Sequence, residues 1–493
     1  MDGWLVFLFL LVAYVGLVTY VRRRNKPLRG GFELNGPFLM WRTQFGKRWL
    51  EKVARPRAFW NVIADGGIIL TWVMGALIFV FLAFLFVLQV QAFFAEPSRA
   101  AANAESPQFL IGIPGVNPLI PVGYGIVAII LALVIHEGSH GVIAYASRMK
   151  VKSLGLLMFI VPVGAFVEPD EEDLERSTTR EKNRVFAAGP TSNIVLAVVA
   201  GILLSTVFLG VLTPVQDHGV LATTIQGESG ASVAGLQPLD RIITVEGTSV
   251  NSRGDFSRAL NGTAAGQQVG VDYERDGKTL HAEAILTNKG DYYRKLGITN
   301  ETLLKDAEGK GFLGMSVVGA GDLDLVREDL AHPLSSFRAF LFYNLYPLYV
   351  FSQGGDVLAA PYHDFFMVHG PLAFLPVPVF FAIAAVLYWI VWINITLATF
   401  NALPMGPLDG GQMFRVTLRD RLMKRYRVDP HQVHVERADM GGMKLSGRDP
   451  ETQVKLDKIQ GIVKRTTYTL GFGILGLILI PILVPHVLRL FYG

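Results

Sequence analysis

The 493-residue chain contains no cysteine. Disulfides, thiolate metal sites and cysteine nucleophiles are excluded together, and the redox compartment stays open. Charge is scarce too: Asp, Glu, Lys and Arg make up 17% of the residues against 51% hydrophobic, and the mean hydropathy is +0.38. That balance disfavours a soluble globule and fits a multispanning membrane protein. The net charge is only +4, and the basic residues gather in a few loops, which is the pattern of membrane topology rather than of nucleic-acid binding.

Long apolar runs are what the chain does have. Trp4 to Val21 is long enough to span; it follows Asp2 and ends in Arg22-Arg23-Arg24 without a small-residue cleavage site, so it reads as a retained anchor. Residues 22–61 carry eleven Lys or Arg against two Glu and are expected to be cytoplasmic, with the N-terminus outside. Ile68 to Val90 then runs outward, the loop 93–120 with its single basic residue Arg99 is external, and Val122 to Tyr145 returns. Gly155 to Pro169 is apolar but broken by Pro and Gly, which predicts an extended hairpin or re-entrant segment. A charged stretch, Asp170 to Arg184, precedes the span Val185 to Leu212.

From about 213 to 330 the composition turns soluble and β-rich, with a hairpin predicted at Asp276-Gly277. Alternation places this insert outside the cytoplasm. Phe337 to Phe351 and Pro371 to Phe381 read equally as interfacial, re-entrant or spanning, and Ala382 to Phe400 is a span. Residues 412–465 hold thirteen basic and seven acidic residues and are expected to form a cytoplasmic loop before a last span, Leu470 to Leu490. The basic loops balance with no crossing in 331–381, giving about six spans. The expected organisation is a polytopic α-helical membrane protein with a re-entrant β-hairpin-like segment and one inserted β-rich domain. Its parts are a membrane region 1–212, the insert 213–330, a membrane segment 331–411, the basic loop 412–465 and a C-terminal helix 466–493.

Inside the apolar stretch Ile126 to Ile143 stands His136-Glu137-Gly138-Ser139-His140. Residues four apart share a helix face, so both imidazoles can serve one metal ion, with Glu137 one step round as a base. Three ionisable groups within one span are costly and are usually retained for function. Catalytic zinc wants a third protein ligand, and Asp409, in Asn401-Ala402-Leu403-Pro404-Met405-Gly406-Pro407-Leu408-Asp409-Gly410-Gly411, falls at a similar depth after a later span. Taken alone, Asp409 reads as a turn aspartate before Gly-Gly. His431 and His434 read as solvated side chains of the basic loop.

Together with Gly164-Ala165-Phe166-Val167-Glu168 and Gly189-Pro190-x-x-Asn193, these motifs make the chain resemble the site-2 protease family of intramembrane zinc metalloproteases. The resemblance implies one Zn²⁺ per chain on His136, His140 and Asp409, with Glu137 as the base. It also implies hydrolysis within or near the transmembrane helices of membrane-anchored protein substrates, and no nucleic-acid partner. Asn401 and Asn193 are candidate oxyanion donors, with helix capping or interhelical bonding as the alternative for each. Val163, Gly164, Ala165, Phe166 and Val167 are candidates for an edge strand that pairs with unwound substrate, with a plug for the cavity as the alternative. In the insert, Ser232-Val233-Ala234-Gly235-Leu236 and Asp240-Arg241-Ile242-Ile243-Thr244-Val245-Glu246-Gly247 resemble the helix-turn-strand of a PDZ domain, although Leu239 stands where Gly is usual. Two rival functions remain at this point: a metal transporter or channel lined by the same residues, and a non-catalytic PDZ scaffold.

Overall fold

Apolar runs in lipid must satisfy their own backbone, and a helix does so within one segment. The computed structural model describes residues 3–24, 31–36, 38–97, 112, 114–159, 161–215, 219–352, 358, 362–437 and 443–492; Arg99 lies outside them. Among these residues, five helices are long and apolar enough to cross a membrane: Arg57–Ala95, Val122–Ala146, Thr179–Val211, Val377–Asn401 and Pro450–Arg489. Their outward faces stay apolar, as with Ile69, Leu77, Val80 and Phe84, which is what a lipid solvent requires.

In chain order, α1 (Gly3–Arg24) leads to β1 (Phe32–Asn35), β2 (Phe38–Thr43), the short α2 (Lys47–Val53), α3 (Arg57–Ala95) and α4 (Val122–Ala146). Then come β3 (Val151–Phe159), β4 (Val161–Pro169), α5 (Glu171–Arg176) and α6 (Thr179–Ile202). The insert supplies β5 (Val220–Ile225), β6 (Arg241–Val245), α7 (Arg253–Asn261), β7 (Gln268–Arg275), β8 (Lys278–Ile285), β9 (Met315–Gly319) and α8 (Ala320–Ala331). The chain closes with α9 (Phe337–Ser352), α10 (Val377–Asn401), α11 (Asp409–Arg425), the hairpin β10 (Val433–Arg437) and β11 (Met443–Gly447), and α12 (Pro450–Tyr492). It divides into two compact units, one of Met1–Asn117, Gly125–Val199 and Ile390–Gly493, the other of Pro118–Tyr124 and Ala200–Trp389.

In the first unit the hairpin predicted around 155–169 begins at Val151 and belongs to a four-stranded antiparallel sheet, β1-β2-β3-β4. The partner strands β1 and β2 come from the basic segment after α1, where charge hid them from a hydropathy reading. Arg42 ties the sheet across its width: it bonds Glu33 at 2.9 Å, pairs with Glu168 of β4 and lies 5.4 Å over the Phe166 ring. The segment expected as a basic loop, 412–465, is mostly helical, because α11 and the first turns of α12 bury one face each. Val428, Leu456, Ile459 and Val463 form their shared core.

In the second unit a six-stranded antiparallel sheet runs in the order β8-β7-β6-β5-β9, with the short strand Thr248–Ser249 paired to β6, around a core that includes Val220, Ile242, Val245, Val269, Val271 and Leu313. The predicted hairpin turn is present, with Asp276 and Gly277 at φ 53° and 72°, the left-handed pair that a two-residue turn needs. Leu239 adopts φ 75°, a conformation that costs a branched residue about 1–2 kcal/mol. The turn is held by buried Asp240, whose carboxylate accepts the Gln237 N–H at 2.7 Å and pairs with Arg275 Nε at 2.6 Å. At about 1.5 Å per residue, the 16-residue α9 reaches roughly 24 Å, short of the ~30 Å hydrocarbon core.

Candidate metal centre

One stretch of helix and one helix start build the centre. His136 and His140 lie one turn apart on α4, both buried, with ring centroids 5.0 Å apart. Asp409 opens α11. The chain leaves α10, turns through Pro404 to Leu408 and starts the next helix against the end of the previous one; a Cβ on Gly410 would stand 2.1 Å from the Ala402 carbonyl oxygen, so only glycine allows that approach. The outcome is that Asp409 Oδ2 lies 3.2 Å from His136 Nε2 and Oδ1 lies 3.5 Å from His140 Nε2. Ligand atoms of the three residues all fall within 4.8 Å of one another.

The backs of both rings are also held. His140 Nδ1 is 2.7 Å from the Val185 carbonyl oxygen, which fixes the tautomer with a proton on Nδ1 and a lone pair on Nε2. Asn193, fully buried, has Nδ2 3.1 Å from His136 Nδ1 and an Oδ1 without a hydrogen bond. A half-turn of that amide lets Oδ1 accept from Nδ1–H, which leaves Nε2 free for a metal. Asn193 therefore stands behind His136, away from Asp409, in a positioning place. The Asn401 side chain makes no hydrogen bond among the described residues and ends α10 half-buried.

The residues fit a metal ion. Two imidazole nitrogens and a carboxylate form a catalytic zinc set, and neighbouring donors in a tetrahedral site with bonds near 2.0–2.1 Å stand about 3.3 Å apart. Asp409 Oδ2 is buried without a hydrogen bond, as an unfilled ligand would be. Gly189 completes the cradle: a Cβ there would lie 2.4 Å from His136 Nε2 and 2.7 Å from His140 Nε2. Glu137 faces the sheet, where its Oε2 accepts the Val167 N–H at 3.2 Å.

A partly buried ion network ties α5, α6 and α11 together. Glu175 of α5 bonds Lys182 of α6 and Arg419 of α11, each at 2.8 Å. Burial raises the Glu175 pKa, but Arg419 and Lys182 outweigh it and hold the carboxyl below its ordinary range. Its stabilising contribution is thus complete above the ordinary carboxylate pKa and is lost as pH falls through the lowered folded value. Glu175→Ala leaves two cations without their carboxylate and is expected to destabilise the protein by about 1–3 kcal/mol, read as a lower thermal midpoint in detergent.

The match to known proteins is extensive. The model of peptidase family M50 covers residues 124–435, well over half the chain and every residue of the centre. The chain belongs to peptidase family M50. An uncharacterized protein of Methanocaldococcus jannaschii is 28% identical over 264 residues, spanning 53% of this chain and 66% of that protein. The zinc metalloprotease RasP of Shouchella clausii is 25% identical over 236 residues, spanning 47% of this chain and 51% of RasP. The chain thus covers roughly half to two thirds of the length of these relatives. Among solved structures, the PDZ domain of the SdrC-like protein of Listeria monocytogenes matches 23% of this chain and 98% of its own, at 20% identity and a TM-score of 0.17. The M50 chain, with five long apolar helices among the described residues, is an integral membrane protein.

The motifs had named His136, His140, Glu137, Asp409 and Asn193. What they missed is Val185, which acts through a backbone carbonyl that any residue carries, and the space at Gly189, whose meaning needs the neighbouring helix.

Proposed function

We propose that this M50 protein is an intramembrane zinc endopeptidase that hydrolyses peptide bonds in or near the transmembrane helices of membrane-anchored proteins, using one Zn²⁺ on His136, His140 and Asp409. The hydrogen bond from Val167 N–H to Glu137 supports this reading most directly, because it joins the base of a metal centre to an open strand edge. β4 is the last strand of its sheet, and alternation along an antiparallel strand turns the Ala165 N–H to the same unpaired side as that of Val167. A substrate helix hides its own peptide groups, so it must unwind, and strand pairing on β4 gives the released groups new partners.

Bound at these donors, zinc supplies Lewis acidity that polarises a carbonyl and acidifies water. Glu137 is left with Oε1, which makes no hydrogen bond among the described residues, to take a proton and return it to the leaving amine. The Val185 carbonyl and Asn193 keep the two imidazoles aimed. Asn401 remains as the side-chain amide donor for a developing oxyanion. The basic loops 22–61 and 412–465 face the cytoplasm in this proposal, with the N-terminus and the insert on the other side.

The test is reconstitution of the full-length chain in vesicles with a membrane-anchored peptide. Cleavage that stops on chelation and returns with zinc is expected; an intact peptide accompanied by metal flux across the vesicle would establish the transporter reading instead. Ala165→Pro removes one outward N–H while leaving the pairing with β3, since Pro is tolerated on an open edge. Its expected effect is a loss of about three- to ten-fold in cleavage rate with zinc content unchanged, the worth of one hydrogen bond.

A further inference from the structure

The segment between β2 and α3 carries charge that the metal centre does not use. Arg48, Lys52, Arg55 and Arg57 line one cavity of about 580 Å³ together with Glu51 and Tyr145. All four cations are exposed, and none forms an ion pair among the described residues. The same stretch of chain carries three large aromatics that a soluble surface would not present: Phe45 is 89% exposed, Trp49 65% and Phe59 57%. Arg57 is the first residue of the spanning α3 and Tyr145 lies in the last turn of the spanning α4, so the cavity sits where a bilayer surface meets the protein.

We infer that this cavity is a binding site for the headgroup of an anionic glycerophospholipid, with α2 lying in the interface as its anchor. The four cations suit a phosphate diester and the aromatics suit the acyl boundary, a pairing that a soluble phosphate or an acidic peptide would not need. The inner face of α2 reaches the catalytic helix. Leu50 is buried with Ala54, Val142 and Ala146, and a Cβ on Gly141 would meet Leu50 Cδ1 at 2.8 Å and Val167 Cγ1 at 3.1 Å. A lipid that holds α2 therefore also braces the point where α4 meets the strand carrying the Glu137 partner.

The experiment uses the full-length protein in nanodiscs of phosphatidylcholine with a tenth of phosphatidylglycerol, the latter carrying brominated acyl chains. The Trp49 signal is taken as the difference from Trp49→Phe. Quenching is expected to exceed that seen when the bromine is on phosphatidylcholine at the same fraction, and to fall in 1 M salt. In the combined variant Arg48→Gln, Lys52→Gln, Arg55→Gln, Arg57→Gln, the preference is expected to disappear, since each such cation is worth roughly five-fold in partitioning. The charge-matched control Arg421→Gln, Lys424→Gln, Arg425→Gln, Arg427→Gln is expected to keep it, as is a variant with Arg48, Arg55 and Arg57 changed to Lys. Equal quenching by both lipids, equal loss in the control, or displacement by inorganic phosphate or a phosphopeptide at millimolar concentration would each overturn the proposal. The last result would make the cavity a soluble-anion site.

Discussion

Glu137→Gln is expected to lower the cleavage rate by about 10²–10⁴-fold, the usual contribution of a general base, while zinc content stays at the wild-type level. Gln has nearly the shape of Glu and keeps a carbonyl oxygen that can accept the Val167 N–H, so the bond joining α4 to β4 survives. What is lost is the capacity to take a proton at neutral pH. Zinc by elemental analysis, beside cleavage of the membrane-anchored peptide, separates the two. Retained cleavage would remove Glu137 from the mechanism, whereas lost zinc would show that the substitution disturbed the centre rather than the proton transfer.

The second large effect is expected at a residue with no side chain. Gly189→Ala places a methyl group 2.4 Å from His136 Nε2 and 2.7 Å from His140 Nε2, distances that require both rings to move. α4 and α6 cannot simply part, because Ser192 Oγ bonds Ser139 Oγ at 3.1 Å and His140 bonds the Val185 carbonyl between the same helices. Zinc affinity is expected to fall by about a hundred-fold, comparable to the loss of a group that orients a metal ligand. Competition against a fluorescent chelator measures it. Asp409→Ala, which removes a ligand outright, sets the scale; wild-type affinity in Gly189→Ala would mean that the metal sits elsewhere.

Much of the centre was legible because its chemistry is carried by side chains at fixed spacing. His136 and His140 share one helix face and Glu137 stands one step round whatever surrounds them, and the cost of three ionisable groups in an apolar run makes them stand out. Asp409 needed the second motif, since a lone Asp before Gly-Gly is an ordinary turn. Strands β1 and β2 were not legible: they are four and six residues long, β1 pairs only with β2 among the described residues, and β2 pairs in turn with β3, which begins more than a hundred residues later. The same holds for Arg42, whose ion pair with Glu168 is a sheet contact and not a local pattern.

Sequence alone determined that the chain is a membrane protein and that His136, His140 and Asp409 could hold one metal ion, because hydropathy, helical period and ligand chemistry are local properties. Tertiary structure decided how those residues are aimed. The Val185 carbonyl and Asn193 bond the imidazoles, the absent side chain of Gly189 leaves room between two helices, and the Val167 N–H ties Glu137 to a strand edge. Each of these depends on backbone groups or empty space, which every sequence supplies and only close packing of distant segments makes specific.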